Sequence, residues 1–128
     1  MKYQVNASGC PDPVGRASKG TTAGRLVFVS GQIALSDNGR SLLGGDVRAQ
    51  ASRVLDQAEA VLSEVGLDLD DIAKVTVYLT DLKDLQAFDD VYCERLIPPM
   101  PARSVVRVDE LPLGALVQMD AVACRQAV

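Results

Sequence analysis

Histidine is absent from the 128 residues, and this removes a large part of enzyme chemistry. Neither a Ser-His-Asp triad nor a Cys-His pair can form, and no zinc site can use imidazole. Any chemistry must be carried by carboxylates, arginine, lysine, tyrosine, hydroxyls, thiols or backbone groups. Cysteine is scarce: Cys10, Cys93 and Cys124 are odd in number and far apart, which predicts reduced, mostly buried thiols rather than a disulfide framework or a metal knuckle. No apolar run approaches the ~20 residues that span a bilayer, and Met1-Lys2-Tyr3-Gln4-Val5-Asn6 lacks the apolar core of a signal peptide. A cytoplasmic protein with no membrane partner is therefore expected. Positive charge is in deficit, with 13 Lys and Arg against 17 Asp and Glu for a net charge of −4. The basic residues are dispersed, whereas a nucleic-acid groove needs them clustered, so no nucleic-acid partner is expected.

What is present reads as one domain over residues 1–128, long enough for a real core and too short for two. Lys2 to Ala7 alternates weakly and predicts a short first strand. Ser8 to Gly24 is rich in Gly, Pro, Ser and Thr and predicts loop, with a short extended piece near Ala17 to Thr22. Gly15-Arg16-Ala17-Ser18-Lys19-Gly20 has the wrong spacing for a phosphate loop and opens no helix. Arg25 to Ile33 is dense in β-branched and aromatic residues and apolar on both faces, so it predicts a strand buried on both sides. Within it, Ser30-Gly31 marks either a bulge or a close approach by backbone or ligand.

Asp46 is a good N-cap for a helix whose Val47, Ala51, Val54, Leu55, Ala58, Leu62 and Val65 form one stripe until Gly66 stops the run. The opposite side, with Arg48, Arg53, Asp56, Gln57, Glu59 and Glu64, predicts a solvated surface. Ala73 to Thr80 alternates as a strand with Val75, Val77 and Leu79 on one face. A second helix, capped by Asp81 or Asp84, runs through Leu85, Phe88, Tyr92 and Leu96 and ends before Pro98. The final strand, Leu116 to Cys124, puts Val117, Met119, Ala121 and Ala123 on one face and Leu116, Gln118, Asp120, Val122 and Cys124 on the other. Two helices can cover only one face of one sheet, so the pattern predicts an α+β fold that self-associates through the bare face.

Two residues stand out chemically. Pro98, Pro99 and Pro101 force an extended approach to Arg103, which opens the strand from Ala102 to Val108. A guanidinium so placed offers a planar fork for a carboxylate or phosphate; an ordinary surface salt bridge is the competing reading. Asp120, an acid inside an apolar strand, is either ion-paired with Arg103 or Arg107 or has a functional role.

Taken together, Leu26-Val27-Phe28-Val29-Ser30-Gly31-Gln32-Ile33, the long helix, Val75-Thr76-Val77-Tyr78-Leu79-Thr80-Asp81, Phe88-Asp89-Asp90-Val91-Tyr92 and Pro101-Ala102-Arg103-Ser104 resemble the Rid (YjgF) family of reactive-intermediate deaminases. The resemblance spans nearly the whole chain. It implies a chorismate-mutase-like fold, a single mixed β-sheet with two helices on one face, assembled as a homotrimer with clefts between subunits. It also implies hydrolysis of short-lived 2-enamino and 2-imino acids to 2-oxo acids and ammonia, with no cofactor and no metal. Position by position, Arg103 matches the arginine that binds the substrate carboxylate, Ser30 and Gly31 match the cleft lining, and Asp120 stands for a water-positioning glutamate. Ala17 falls where a tyrosine-bearing segment is common, Asp89 replaces an asparagine and Val105 a frequent cysteine. Two other functions fit the same resemblance: a non-enzymatic trimer that binds 2-oxo acids, and a 2-aminomuconate-type deaminase.

Overall fold

A computed structural model describes residues 1–126. Six strands form one mixed sheet: β1 (Lys2–Val5), β2 (Gly20–Ala23), β3 (Leu26–Gln32), β4 (Ile72–Leu79), β5 (Ala102–Arg107) and β6 (Val117–Cys124), in the order β1-β2-β3-β6-β4-β5. Only β4 and β5 pair in parallel. The helices α1 (Val47–Ser63) and α2 (Leu85–Arg95) are crossovers, the first from β3 to β4 and the second from β4 to β5. Both fall on the same face, and β6 returns antiparallel into the gap between β3 and β4. The α+β architecture expected from the sequence is the one found. No helix among the described residues is long and apolar enough to cross a membrane.

Local chemistry sets the helix ends. The Asp46 side chain accepts a hydrogen bond from the Ala49 amide at 2.9 Å, satisfying one orphan donor of the first turn of α1. Gly66, at φ +76°, closes the other end while the Leu67 amide reaches back to the Leu62 carbonyl. Before α2, Asp81 caps a short 3-10 turn by accepting from the Lys83 amide, whereas Asp84 makes no side-chain cap.

The core lies between the helices and one sheet face. Val27 and Val29 of β3, Val75, Val77 and Leu79 of β4, and Val117, Met119, Ala121 and Ala123 of β6 are buried against Ala51, Val54, Leu55, Ala58, Val61 and Leu62 of α1 and Phe88 and Tyr92 of α2.

Four expectations are sharpened or corrected. The short extended piece expected near Ala17 to Thr22 is strand β2, Gly20–Ala23, hydrogen-bonded on both sides. Gly20 makes that packing possible, because a Cβ there would lie 2.6 Å from Val61 Cγ1 and 2.8 Å from the Phe28 carbonyl oxygen. Next, β3 is buried on one face only: Leu26 and Phe28 remain 43% and 38% exposed, because neither helix reaches the other side of the sheet. Third, only Cys10 is buried; Cys93 of α2 and Cys124 at the end of β6 are exposed.

The fourth concerns Gln57, which is completely buried. Its amide accepts from the Leu35 amide at 3.0 Å and donates to the Ile33 carbonyl at 2.8 Å and to Gln32 Oε1 at 2.9 Å. It therefore satisfies the backbone of the segment that leaves β3, where the sheet ladder has ended. Gln57→Ala should cost about 2–4 kcal/mol, since it opens a cavity and strands these groups. Urea denaturation should show a lower midpoint with an unchanged slope; a midpoint equal to wild type would remove Gln57 from this role.

Candidate functional site

Arg103 is on the edge strand β5 and pairs in register with Val75, so it points to the helix face of the sheet. There it meets Asp89 on α2: Arg103 Nη1 donates to Asp89 Oδ1, and Nη2 donates to Oδ2 at 3.2 Å. Both side chains are about a quarter exposed (26% and 27%). The guanidinium carbon sits 5.2 Å from the centre of the Tyr92 ring, which stacks on Phe88 at 5.6 Å. The cationic group is thus fixed by a carboxylate fork and a π face together. The hydrogen bond it donates to Asp89 raises the Arg103 pKa further above its already high ordinary value.

Asp89, Tyr92, Cys93, Met100, Pro101 and Arg103 line a pocket of about 250 Å³. The Tyr92 hydroxyl is buried without a hydrogen-bond partner among the described residues, a state that costs about 1–3 kcal/mol. Burial pushes its pKa up. Val105, two residues along β5, packs against the core beside this pocket and does not line it.

Ser30 and Gly31 lie elsewhere. The sheet order puts β6 and β4 between β3 and β5, about 14 Å across three strand spacings. The pairing of β3 with β6 slips between Val29 and Gln32, so the glycine marks a bulge. The Ser30 hydroxyl is used structurally, donating to the Ser18 carbonyl while its amide bonds to the Lys19 carbonyl. A second cleft of about 300 Å³ has Ala17, Ser30, Gly31, Pro112 and Gln118 among its lining residues. Gln118 covers Gly31 so closely that a Cβ there would stand 2.7 Å from its Nε2. The sequence offered no signal for Gln118 beyond its shared strand face with Asp120, because the slipped register decides which of the two meets Gly31.

Asp120 occupies the helix-free face, in register with Thr76 and diagonal to Tyr78. Neither Arg103 nor Arg107 is its partner: those pair with Asp89 and Asp109. Burial raises the Asp120 pKa, while the neighbouring Tyr78 hydroxyl and the nearby Lys74 charge hold it back. The Asp120 charge in turn raises Tyr78. Within one chain, Arg103 and Asp120 therefore sit on opposite faces of the sheet and cannot contact the same ligand atom. Among the described residues no cluster of three or more Asp, Glu, Cys or His side chains could hold a metal ion.

The Endoribonuclease L-PSP family matches residues 8–125. A RutC family protein of Pyrococcus abyssi is 38% identical over 116 residues, 91% of each chain. The solved structure of RidA from an Antarctic Psychrobacter superposes with a TM-score of 0.90 at 31% identity, covering 95% of this chain and 98% of that one. This chain belongs to the Rid (YjgF/RutC) family. A further Rid relative, from Dermatophagoides farinae, is 32% identical over 112 residues, 88% of each chain, and is named 2-iminobutanoate/2-iminopropanoate deaminase.

The raised Asp120 pKa has a consequence for stability. A folded-state pKa above the unfolded value means that folding favours the protonated acid, so stability falls as pH rises through and above the ordinary carboxylate range near pH 4. Asp120→Asn should therefore melt at or slightly above wild type at neutral pH, and the gap should close as pH drops below about 4. A variant clearly less stable than wild type at neutral pH would mean that Asp120 is a stabilising ion partner instead.

Proposed function

We propose that this Rid chain hydrolyses reactive 2-imino and 2-enamino acids to 2-oxo acids and ammonia without a cofactor. The observation that carries the reading is the state of Arg103. Its Nη1/Nη2 edge is held by Asp89, Nε and the second hydrogen of Nη2 find no acceptor among the described residues, and Arg103 lines a pocket sized for a small acid. That free edge is a ready fork for one substrate carboxylate. The deaminase name of the mite relative supports the same chemistry. Water adds to the iminium carbon and one of its protons moves to the nitrogen; the C–N bond then breaks as the remaining hydroxyl proton passes to the departing ammonia, leaving the 2-oxo acid and ammonium. The substrate is already electrophilic, so the enzyme has only to orient it and the water.

In this proposal the site is completed by a neighbouring copy in a homotrimer. Gly31, Gln118 and Asp120 all belong to the helix-free side, whereas Arg103 faces α2. A second chain can bring that side, with Asp120 as the water-orienting base, against the Arg103 pocket. The half-exposed Leu26, Phe28 and Val106 on the bare face give the association its driving force. Static light scattering should give a mass three times the 13.6 kDa of one chain. A monomer at micromolar concentration would leave the cleft without its second wall.

The self-satisfied Arg103–Asp89 pair gives weight to a second reading, a trimer that binds 2-oxo acids without turning them over. An endoribonuclease has less support, because Arg48, Arg53, Arg95, Arg103 and Arg107 are each paired with an aspartate rather than massed for a phosphate backbone.

One assay separates these readings. Imines are generated with an amino-acid oxidase, and the unreacted fraction is trapped with semicarbazide. Wild type should suppress trapping; Arg103→Lys should lose at least about tenfold in kcat/KM and Arg103→Ala on the order of a hundredfold, with the trimer intact. Full activity in Arg103→Ala rejects the site. Inactive wild type that still binds 2-oxo acids through Arg103 establishes the binding protein.

A further inference from the structure

We propose that Asp89 is a specificity-determining residue that makes the Arg103 pocket prefer carboxylates carrying a positive charge on the adjacent carbon and disfavour simple anions. The inference deepens the reading of Arg103 as the carboxylate anchor and rests on it.

A lone arginine in a pocket attracts any small anion. Here the guanidinium already shares its charge with both oxygens of Asp89, and the two groups, each about three-quarters buried, present a nearly neutral pair. A ligand carboxylate can still dock on the free edge made by Nε and Nη2. Because Nη2 also serves Asp89, that docking sets two carboxylates side by side on one cation. The described residues lining the pocket, Asp89, Tyr92, Cys93, Met100, Pro101 and Arg103, offer no second positive charge. The excess negative charge is relieved only if the ligand supplies a cation next to its own carboxylate.

A protonated 2-imino acid does so, since its iminium nitrogen is bonded to the carbon that bears the carboxylate and comes within range of Asp89. The 2-oxo acid product has lost that charge as ammonium. Asp89 therefore favours the substrate form poised for water attack and promotes departure of the product. Its cost is a weaker anchor for anions in general. The amide of asparagine, nearly isosteric with the carboxylate, would lack this discrimination.

Equilibrium binding tests this without relying on turnover. L-2-Aminobutanoate, a stable zwitterion, stands in for the protonated imine, and 2-oxobutanoate is the simple anion; both are titrated calorimetrically into the assembled protein. Wild type should bind the zwitterion more tightly, by a factor on the order of ten for one unit charge partly screened by solvent. Asp89→Asn should bring the two affinities together or invert them, chiefly by tightening 2-oxobutanoate, and Asp89→Glu should keep the wild-type preference. Should the asparagine variant fail to fold, Asp89→Ser makes the same neutralisation.

Equal preference ratios in wild type and the neutral variant overturn the proposal. So does a wild type that favours 2-oxobutanoate, or one that binds neither ligand. A wild type that shows the preference but clears no imine leaves the charge selection standing and retires the deaminase reading. Imine turnover with no zwitterion preference does the reverse.

Discussion

Burial of a single sheet face beneath α1 and α2 is the contact on which the other features of this structure lean. The apolar residues of β3, β4 and β6 can leave water only by packing on the two helical stripes, and that contact fixes which way every other strand residue points. With Val75, Val77 and Leu79 inward, the paired residues Arg103, Val105 and Arg107 must share their side, at the rim where β5 leaves the helix cover. With Val117, Met119 and Ala121 inward, Gln118 and Asp120 must face away. The separation of the two chemical groups is a consequence of strand alternation rather than of any loop.

This geometry explains why the chain presents two incomplete clefts. The Arg103 pocket has a cation, an anion and an aromatic ring but no group placed to activate water. The Gly31 cleft has a close-fitting amide but no cation among its lining residues. Leu26, Phe28 and Val106 stay partly exposed on the bare face, and in the proposed homotrimer a contact between one copy's bare face and another copy's α2–β5 rim would unite the two halves.

Much of the fold was legible because it depends on short-range periodicity. The alternation of Val75, Val77 and Leu79, the stripe from Val47 to Leu62, the Asp46 cap and the Gly66 stop all follow from side-chain direction and capping chemistry within a few residues. What escaped depends on long-range register. Gln57 looks like a surface residue by polarity and spacing; its burial follows from the unpaired backbone of Ile33 and Leu35, which only the folded chain brings beneath α1. Strand β2 was legible only as a short extended piece near Ala17 to Thr22; its bounds, Gly20–Ala23, are set by the neighbours that pair with it on both sides. At the candidate site, Arg103 was legible from its proline-stiffened approach, and Asp89 from its departure from the family's asparagine. Their pairing, and the role of Gln118 rather than Asp120 over Gly31, were not, because each requires knowing which residue of one element lies opposite which residue of another.

The pairing of Arg103 with Asp89 also resolves an apparent conflict between holding an anchor and leaving it available. A long arginine side chain loses considerable rotamer freedom when it closes on a ligand, and that loss weakens binding. Asp89 and the Tyr92 ring impose the loss during folding instead, so a ligand meets a guanidinium already in place. The same partner that orders the cation also neutralises it, so orientation is gained at the expense of field. Such an exchange suits the proposed imine site, which would recognise shape and local charge balance, more than a site that must hold an anion tightly. An asparagine could order the arginine less firmly and would leave its field intact, which makes the one-atom difference at position 89 a choice between selectivity and grip.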